Sequence, residues 1–231
     1  MDERRGARKL HVVRYSTGRV TRLSSQQQHW EATYRDHLPE SVAWYQERPA
    51  LSLSLIEATG IGSDAAVVDV GGGCSRLVDH LLDEGYTNLT VLDLSPTAIR
   101  YARQRLGGSA SKVTWIEADV LEYRFDTTFD LWHDRAVFHF LTDPVDRERY
   151  VAHLSDAVPI GGQVIIATFG LDGPERCSGL PVQRYGPETL SQTLGDDFEV
   201  LGFQQETHHT PTGATQQFLY GHFQRRSSRA T

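Results

Sequence analysis

At 231 residues the chain suits one α/β unit of ordinary size, and its 39% hydrophobic and 23% charged residues are the make-up of a water-soluble globular fold. No apolar run approaches the roughly 20 residues of a membrane span, and a formal charge of −7 argues against a general nucleic-acid binder. The two cysteines, Cys74 and Cys177, make no disulfide framework and fit a reducing cytoplasm.

Residues 1–22 hold seven basic side chains against two acidic ones, a surplus of +5, so the rest of the chain carries about −12. This stretch lacks the apolar core of a secretory signal; residues 1–25 are expected to be a basic tail. From Gln26 to His37, Trp30, Tyr34 and His37 recur at helical spacing, and Leu38-Pro39 ends that helix. Trp44-Tyr45-Gln46 follows, then a helix from Leu51 to Ala58 closed by Gly60 and Gly62. The two aromatic clusters of residues 26–62 either pack on the edge of a sheet or form a lid over the turn that comes next.

That turn is Val67-Val68-Asp69-Val70-Gly71-Gly72-Gly73-Cys74-Ser75. An apolar strand runs into an acid and three glycines, and a helix begins near Cys74 with Leu77, Val78, Leu81 and Leu82 on its buried face. Glycine lets a backbone turn sharply and approach a ligand, to which a helix N-terminus offers free N–H groups.

The pattern then alternates. Leu89 to Asp93 reads as a second strand ending in an acid, and Ser95-Pro96 caps a helix whose stripe is Ile99, Ala102 and Leu106. Lys112 to Glu117 is the third strand, with Asp119 just past it; Phe129 to His133 is the fourth. Asp143-Pro144 opens a helix, and Gln163 to Phe169 is a β-branched fifth strand. Residues 170–184 form a long irregular loop, of a length that is often functional. A helix from Gly186-Pro187 to Leu194 precedes two strands, Phe198 to Thr207 and Thr215 to Phe223, joined by Thr210-Pro211-Thr212-Gly213 as an antiparallel hairpin. Residues 26–224 are expected to be one unit and 225–231 a frayed tail.

Ligands of parallel α/β sheets sit beyond the carboxyl ends of the strands, where the glycine turn, Asp93, Asp119 and His133 all fall. An acid ending strand two accepts hydrogen bonds from ribose hydroxyls, a logic shared by nicotinamide cofactors and S-adenosylmethionine. The spacing Asp69-x-Gly71-x-Gly73-x-Ser75 departs from the G-x-G-x-x-G of a dinucleotide site.

With these residues in place, the chain resembles a class I S-adenosylmethionine-dependent methyltransferase from Trp30 to Phe223. Val67 to Ser75 is similar to the first motif of that family, with Ser75 where a third glycine is commoner; Asp93 matches the ribose-binding acid, and Glu117-Ala118-Asp119-Val120 the adenine-binding segment. The resemblance implies a seven-stranded, mostly parallel sheet of order 3-2-1-4-5-7-6, with the last strand antiparallel and helices on both faces. It implies S-adenosylmethionine as cofactor, S-adenosylhomocysteine as product, and a cofactor site of Asp69, Gly71, Gly73, Ser75, Asp93, Leu94, Asp119, Val120 and the lid residue Trp44.

Methyl transfer from a sulfonium is an in-line displacement, so a protein has mainly to align the acceptor, exclude water and, where needed, remove a proton. The candidates beyond strand four are His133 or Asp134 as general base and Arg135, or Arg184, to hold an anionic acceptor. Trp30, Cys177 and His209 are candidate acceptor contacts, and no histidine or cysteine grouping has the spacing of a metal site. The sequence His133-Asp134-Arg135-Ala136 replaces the asparagine-proline-proline-tyrosine type motif of enzymes that methylate base nitrogens. The expectation is therefore a small-molecule acceptor, a thiol or sulfide in particular, with a protein-lysine methyltransferase and a non-catalytic cofactor-binding module as alternatives.

Overall fold

The computed structural model describes residues 24–227. Nearly all of the basic segment 1–25 lies outside the described residues, as does the end of the C-terminal stretch. The strands are β1 (Ala66–Val70), β2 (Asn88–Asp93), β3 (Val113–Glu117), β4 (Leu131–Arg135), β5 (Gln163–Phe169), a two-residue ladder of β6 (Arg176–Cys177) and β7 (Leu180–Pro181), then β8 (Phe198–His209) and β9 (Thr215–Arg225). The helices are α1 (Ser25–Asp36), α2 (Ala50–Ala58), α3 (Leu77–Asp83), α4 (Pro96–Leu106), α5 (Pro144–Ala157) and α6 (Pro187–Leu194).

Seven strands form one sheet in the order β3-β2-β1-β4-β5-β9-β8. β1 to β5 pair in parallel, and β9 runs against both β5 and β8. With the small ladder set aside, this is the 3-2-1-4-5-7-6 order expected from the sequence. β5 is buried along its whole length and β1 over its last four residues, as strands covered by helices on both faces must be.

Three boundaries differ from the sequence reading. α3 starts at Leu77, later than Cys74, because Ser75 first closes a turn onto Gly72 (N–O 3.0 Å) and its hydroxyl then accepts from the Leu77 amide (3.0 Å). β4 begins two residues later than expected, since the Phe129 amide is tied to Ala157 and pairing with β1 starts at Leu131. Arg225, expected in a frayed tail, ends β9 and exchanges backbone hydrogen bonds with Gly161 and Gly162.

Strand alternation divides the core. Trp132 packs with Phe138, Tyr150 and Phe223 on one face of the sheet, while Leu131 packs with Leu55, Leu81 and Phe169 on the other. The same alternation puts His133 and Arg135 on the second face and Asp134 on the first.

Helix α1 lies across the start of α4. Its Glu31 accepts from the Thr97 amide (3.0 Å), the Thr97 hydroxyl (2.9 Å) and the Ser95 hydroxyl, and Gln27 donates to the Leu94 carbonyl (3.4 Å). Burial alone would raise the Glu31 carboxyl, yet these hydrogen bonds and nearby Arg100 hold it below the usual range. At the far side of α1, His29 meets the Ser178 hydroxyl at 3.3 Å, joining the helix to the turn of the β6–β7 ladder. Replacing Glu31 by Ala should lower stability by about 1 kcal/mol through the lost carboxylate acceptor, read as a shift in the urea midpoint at constant m-value.

Candidate active site

Two adjoining cavities open at the carboxyl ends of β1, β2 and β4. The larger encloses about 790 Å³ of space, open solvent at its mouth included, and the smaller about 550 Å³. Tyr34, Trp44, Val70, Gly71 and Arg135 line both, so the glycine turn is their common floor and the lid residues their common wall.

The turn is built around Asp93. Its two carboxylate oxygens accept from the Ser95 amide (2.7 Å) and the Gly73 amide (2.9 Å), which ties the first two strand-to-helix connections together. A Cβ on Gly73 would stand 2.6 Å from an Asp93 oxygen, and one on Gly71 only 2.1 Å from a Val137 methyl. Gly71 also has φ +70°, where a side chain is strained in any case. These glycines let the chain close against its own partners as well as against a ligand. Burial pushes the Asp93 carboxyl up to about 6, against the pull of the Ser95 and Gly73 amides.

Of the expected cofactor residues, Gly71, Asp93, Leu94, Asp119, Val120 and Trp44 line the larger cavity, and Asp69, Gly71, Ser75 and Trp44 the smaller. Gly73 lies behind the turn and acts through its bond to Asp93. Asp119 accepts from the Leu121 amide at 2.9 Å through one oxygen.

The expected acceptor machinery divides. Trp30 and Cys177 do line the larger cavity. Trp30 packs edge-on against Trp44 (5.6 Å between ring centroids) and Phe140 (5.1 Å), and burial pushes the Cys177 thiol up to about 12. His133 lines only the smaller cavity, its ring held between Asp69 (Nδ1–Oδ1 2.7 Å) and the Ser52 hydroxyl (Nε2–Oγ 3.0 Å). Both ring nitrogens are engaged, so His133 is not poised as a general base.

Asp134 is corrected outright. It faces α5, accepts from the Val137 and Phe138 amides and from the Tyr150 hydroxyl (2.5 Å), and is fully buried among them. Burial sets its carboxyl up to about 6; it holds the turn after β4 together and touches neither cavity.

Arg135 lines both cavities, yet its guanidinium donates to the Tyr220 hydroxyl (2.8 Å), the Trp44 carbonyl (3.0 Å) and Glu206 (3.5 Å) and lies over the Phe218 ring. Arg184 also fails as an anion site: it clasps its own loop through the Leu171 and Gly173 carbonyls and Glu175. His209 lies on β8, exposed and away from both cavities, because that strand runs two residues past its expected end. Its neighbour His208 faces inward and meets the Ala43 carbonyl at 2.8 Å.

Sequence reasoning passed over Phe140, and named Tyr34 and Gln46 only as members of the two aromatic clusters. Tyr34 was legible as a helix-face aromatic; the placement of Phe140 depends on a short 3₁₀ turn (Phe138–Phe140) that periodicity does not signal.

A methyltransferase-domain family model matches residues 67–162, which hold the glycine turn, Asp93, Asp119 and β4. The chain is 25% identical over 192 residues to a malonyl-[acyl-carrier protein] O-methyltransferase of Paenibacillus sp. (strain JDR-2), covering 73% of this chain and 68% of that enzyme. The methyltransferase domain at residues 67–162 and these likenesses support a class I S-adenosylmethionine-dependent methyltransferase. A tRNA U34 carboxymethyltransferase of Shewanella halifaxensis (strain HAW-EB4) is 26% identical over 145 residues, 62% of this chain but only 41% of that one. Among solved structures, a protein studied in the conversion of a disulfide bond into a thioacetal group during echinomycin biosynthesis superposes with a TM-score of 0.72 at 21% identity, covering 88% of this chain and 93% of that one. The N-methyltransferase NodS of Bradyrhizobium japonicum WM9, solved with S-adenosylhomocysteine, gives 0.66 at 18% identity, covering 85% and 98%.

The residues of this methyltransferase fit the cofactor. Asp69 is buried with its second oxygen unpartnered on the wall of the smaller cavity, a carboxylate that calls for a donor. Asp93 and Asp119 each keep acceptor capacity, since an ionised carboxylate has about four lone-pair sites. S-adenosylmethionine, when bound, supplies an electrophilic methyl group on a positively charged sulfur.

The ionised form of Asp93 is the one that accepts from hydroxyls, and protonation of the free protein competes with binding. Affinity for S-adenosylhomocysteine should therefore be full above pH 6 and fall roughly tenfold per unit below it, checked by calorimetry between pH 5 and 8. Asp134→Ala should destabilise by roughly 3 kcal/mol, because it strands two buried amides and a phenol. It should leave that affinity within about twofold, since the carboxylate stands apart from the cavities.

Proposed function

We propose that this methyltransferase acts on a small-molecule acceptor whose reacting atom is a soft sulfur nucleophile, a thiol or a sulfide. The observation that carries the reading is the make-up of the larger cavity: roofed by aromatic rings and Cys177, with none of the expected bases at hand. His133 is engaged on both sides, Asp134 faces the other side of the sheet, and Arg135 is paired and stacked. An alcohol or amide acceptor needs a strong base in the site. A thiol ionises near pH 8.5 by itself, and a sulfide has no proton to lose.

The protein's part is then positional. Asp93 and Asp119 hold the donor, the roof of Trp30, Trp44 and Phe140 excludes water, and its π-faces suit the positive charge that sulfur carries in such reactions. A closed roof of this kind also favours a small acceptor over a lysine on a protein, which calls for an open acidic rim. The structural relative tied to echinomycin thioacetal formation supports a sulfur acceptor by analogy of fold alone.

The test is a transfer assay with methyl-labelled cofactor against thiols, sulfides, N-heterocycles, malonyl-loaded acyl carrier protein, tRNA and basic peptides. Label should enter the thiols or sulfides. Label in tRNA or protein with none in any sulfur compound would overturn the reading, and tight cofactor binding with no transfer at all would favour a non-catalytic module.

A further inference from the structure

Part of the wall shared by the two cavities belongs to no helix or strand. Residues 42–47 form an irregular strap between α1 and α2, and Trp44 on this strap lines both spaces. Such a segment has few backbone hydrogen bonds of its own; the Tyr45 amide to the Val42 carbonyl (3.1 Å) closes one turn. What holds it comes from across the molecule.

Glu206 of β8 is the centre of that hold. One carboxylate oxygen accepts from the Gln46 side chain at 2.8 Å; the other accepts from the Tyr220 hydroxyl at 3.1 Å and the Arg135 guanidinium at 3.5 Å. Arg135 passes the hold on, donating to the Trp44 carbonyl at 3.0 Å while its plane rests 4.3 Å from the centre of the Phe218 ring. The strap is thus gripped at Gln46 directly and at Trp44 through Arg135. The Glu206 side chain is 17% exposed and that of Arg135 10%, so each charge has little water to substitute for a lost partner.

We propose that Glu206 is a positioning residue of the methyltransferase. By gathering Gln46, Tyr220 and Arg135 on one carboxylate it sets the strap, and with it the place of Trp44 between the donor and acceptor spaces. This rests on the reading of the two cavities as those spaces. Glu206 touches neither cavity itself, which separates its role from binding.

Hydrogen exchange on the full-length protein tests this with the variants Glu206→Ala and Glu206→Gln, each with and without S-adenosylhomocysteine. In Glu206→Ala the Tyr45 amide, hydrogen-bonded to the Val42 carbonyl inside the strap, should exchange on the order of tenfold faster, with β1 and β5 at wild-type rates, and affinity for S-adenosylhomocysteine should fall by a similar factor. Glu206→Gln keeps an acceptor oxygen and should recover most of both losses. Unchanged exchange at the Tyr45 amide, faster exchange spread evenly over the sheet, or a Gln variant no better than Ala would each overturn the proposal. If the wild type itself bound no S-adenosylhomocysteine, the donor-site reading would fall, and the exchange rates of the strap would still judge Glu206.

Discussion

The site depends on one cross-tie, the Asp93 carboxylate between the Gly73 and Ser95 amides. Two strand-to-helix turns that are separate in sequence become one surface through that side chain. The charge is unfavourable where it sits, as the upward push on its carboxyl records, with Asp69 and Glu31 adding like charge nearby. It is kept because two fixed N–H dipoles offset part of the desolvation and still leave lone pairs directed to a ligand. Everything around it is arranged to permit this: glycine at residue 73, where a Cβ would collide with the carboxylate, and Glu31 of the lid bonded to the amide and hydroxyl of Thr97.

The lid and the hairpin extend the same arrangement outward. α1 is fastened through Glu31 to α4 and through His29 to the β6–β7 turn, while the strap that follows it is fastened to β4 and β8. The roof therefore draws on elements from both ends of the chain, and the hairpin that completes the sheet also anchors the wall of the cavity. Buried polar groups joined in this way act as a set: Arg135 alone would be an uncompensated charge, and with Glu206, Tyr220 and the Trp44 carbonyl it becomes a strut.

The strands, helix caps and glycine turn were legible from the sequence because each rests on local chemistry, whereas the strand order followed from the family resemblance. Ser95-Pro96 and Asp143-Pro144 cap helices wherever they occur, and a buried parallel strand shows itself as an unbroken apolar run. The acceptor side was less legible for a physical reason. His133, Asp134 and Arg135 are adjacent in sequence and look equivalent, but a strand sends neighbours to opposite faces, and each side chain finds partners remote in the chain: Ser52, Tyr150, Glu206. Whether a polar side chain is free for chemistry or consumed by packing is decided by those distant partners. Arg184 shows the same point on a loop, where the carbonyls it clasps carry no sequence signal.

The position of Cys177 has a practical side. Its sulfur stands in the wall of the larger cavity beneath the lid, and burial keeps the thiol protonated at physiological pH. Only thiolates react readily with alkylating agents, so the closed protein should resist them and each modification should mark a moment when the roof had lifted. The slow chemistry of this one side chain makes it a built-in clock for lid opening, readable by peptide mapping that separates it from the other buried thiol, Cys74, without knowledge of the acceptor.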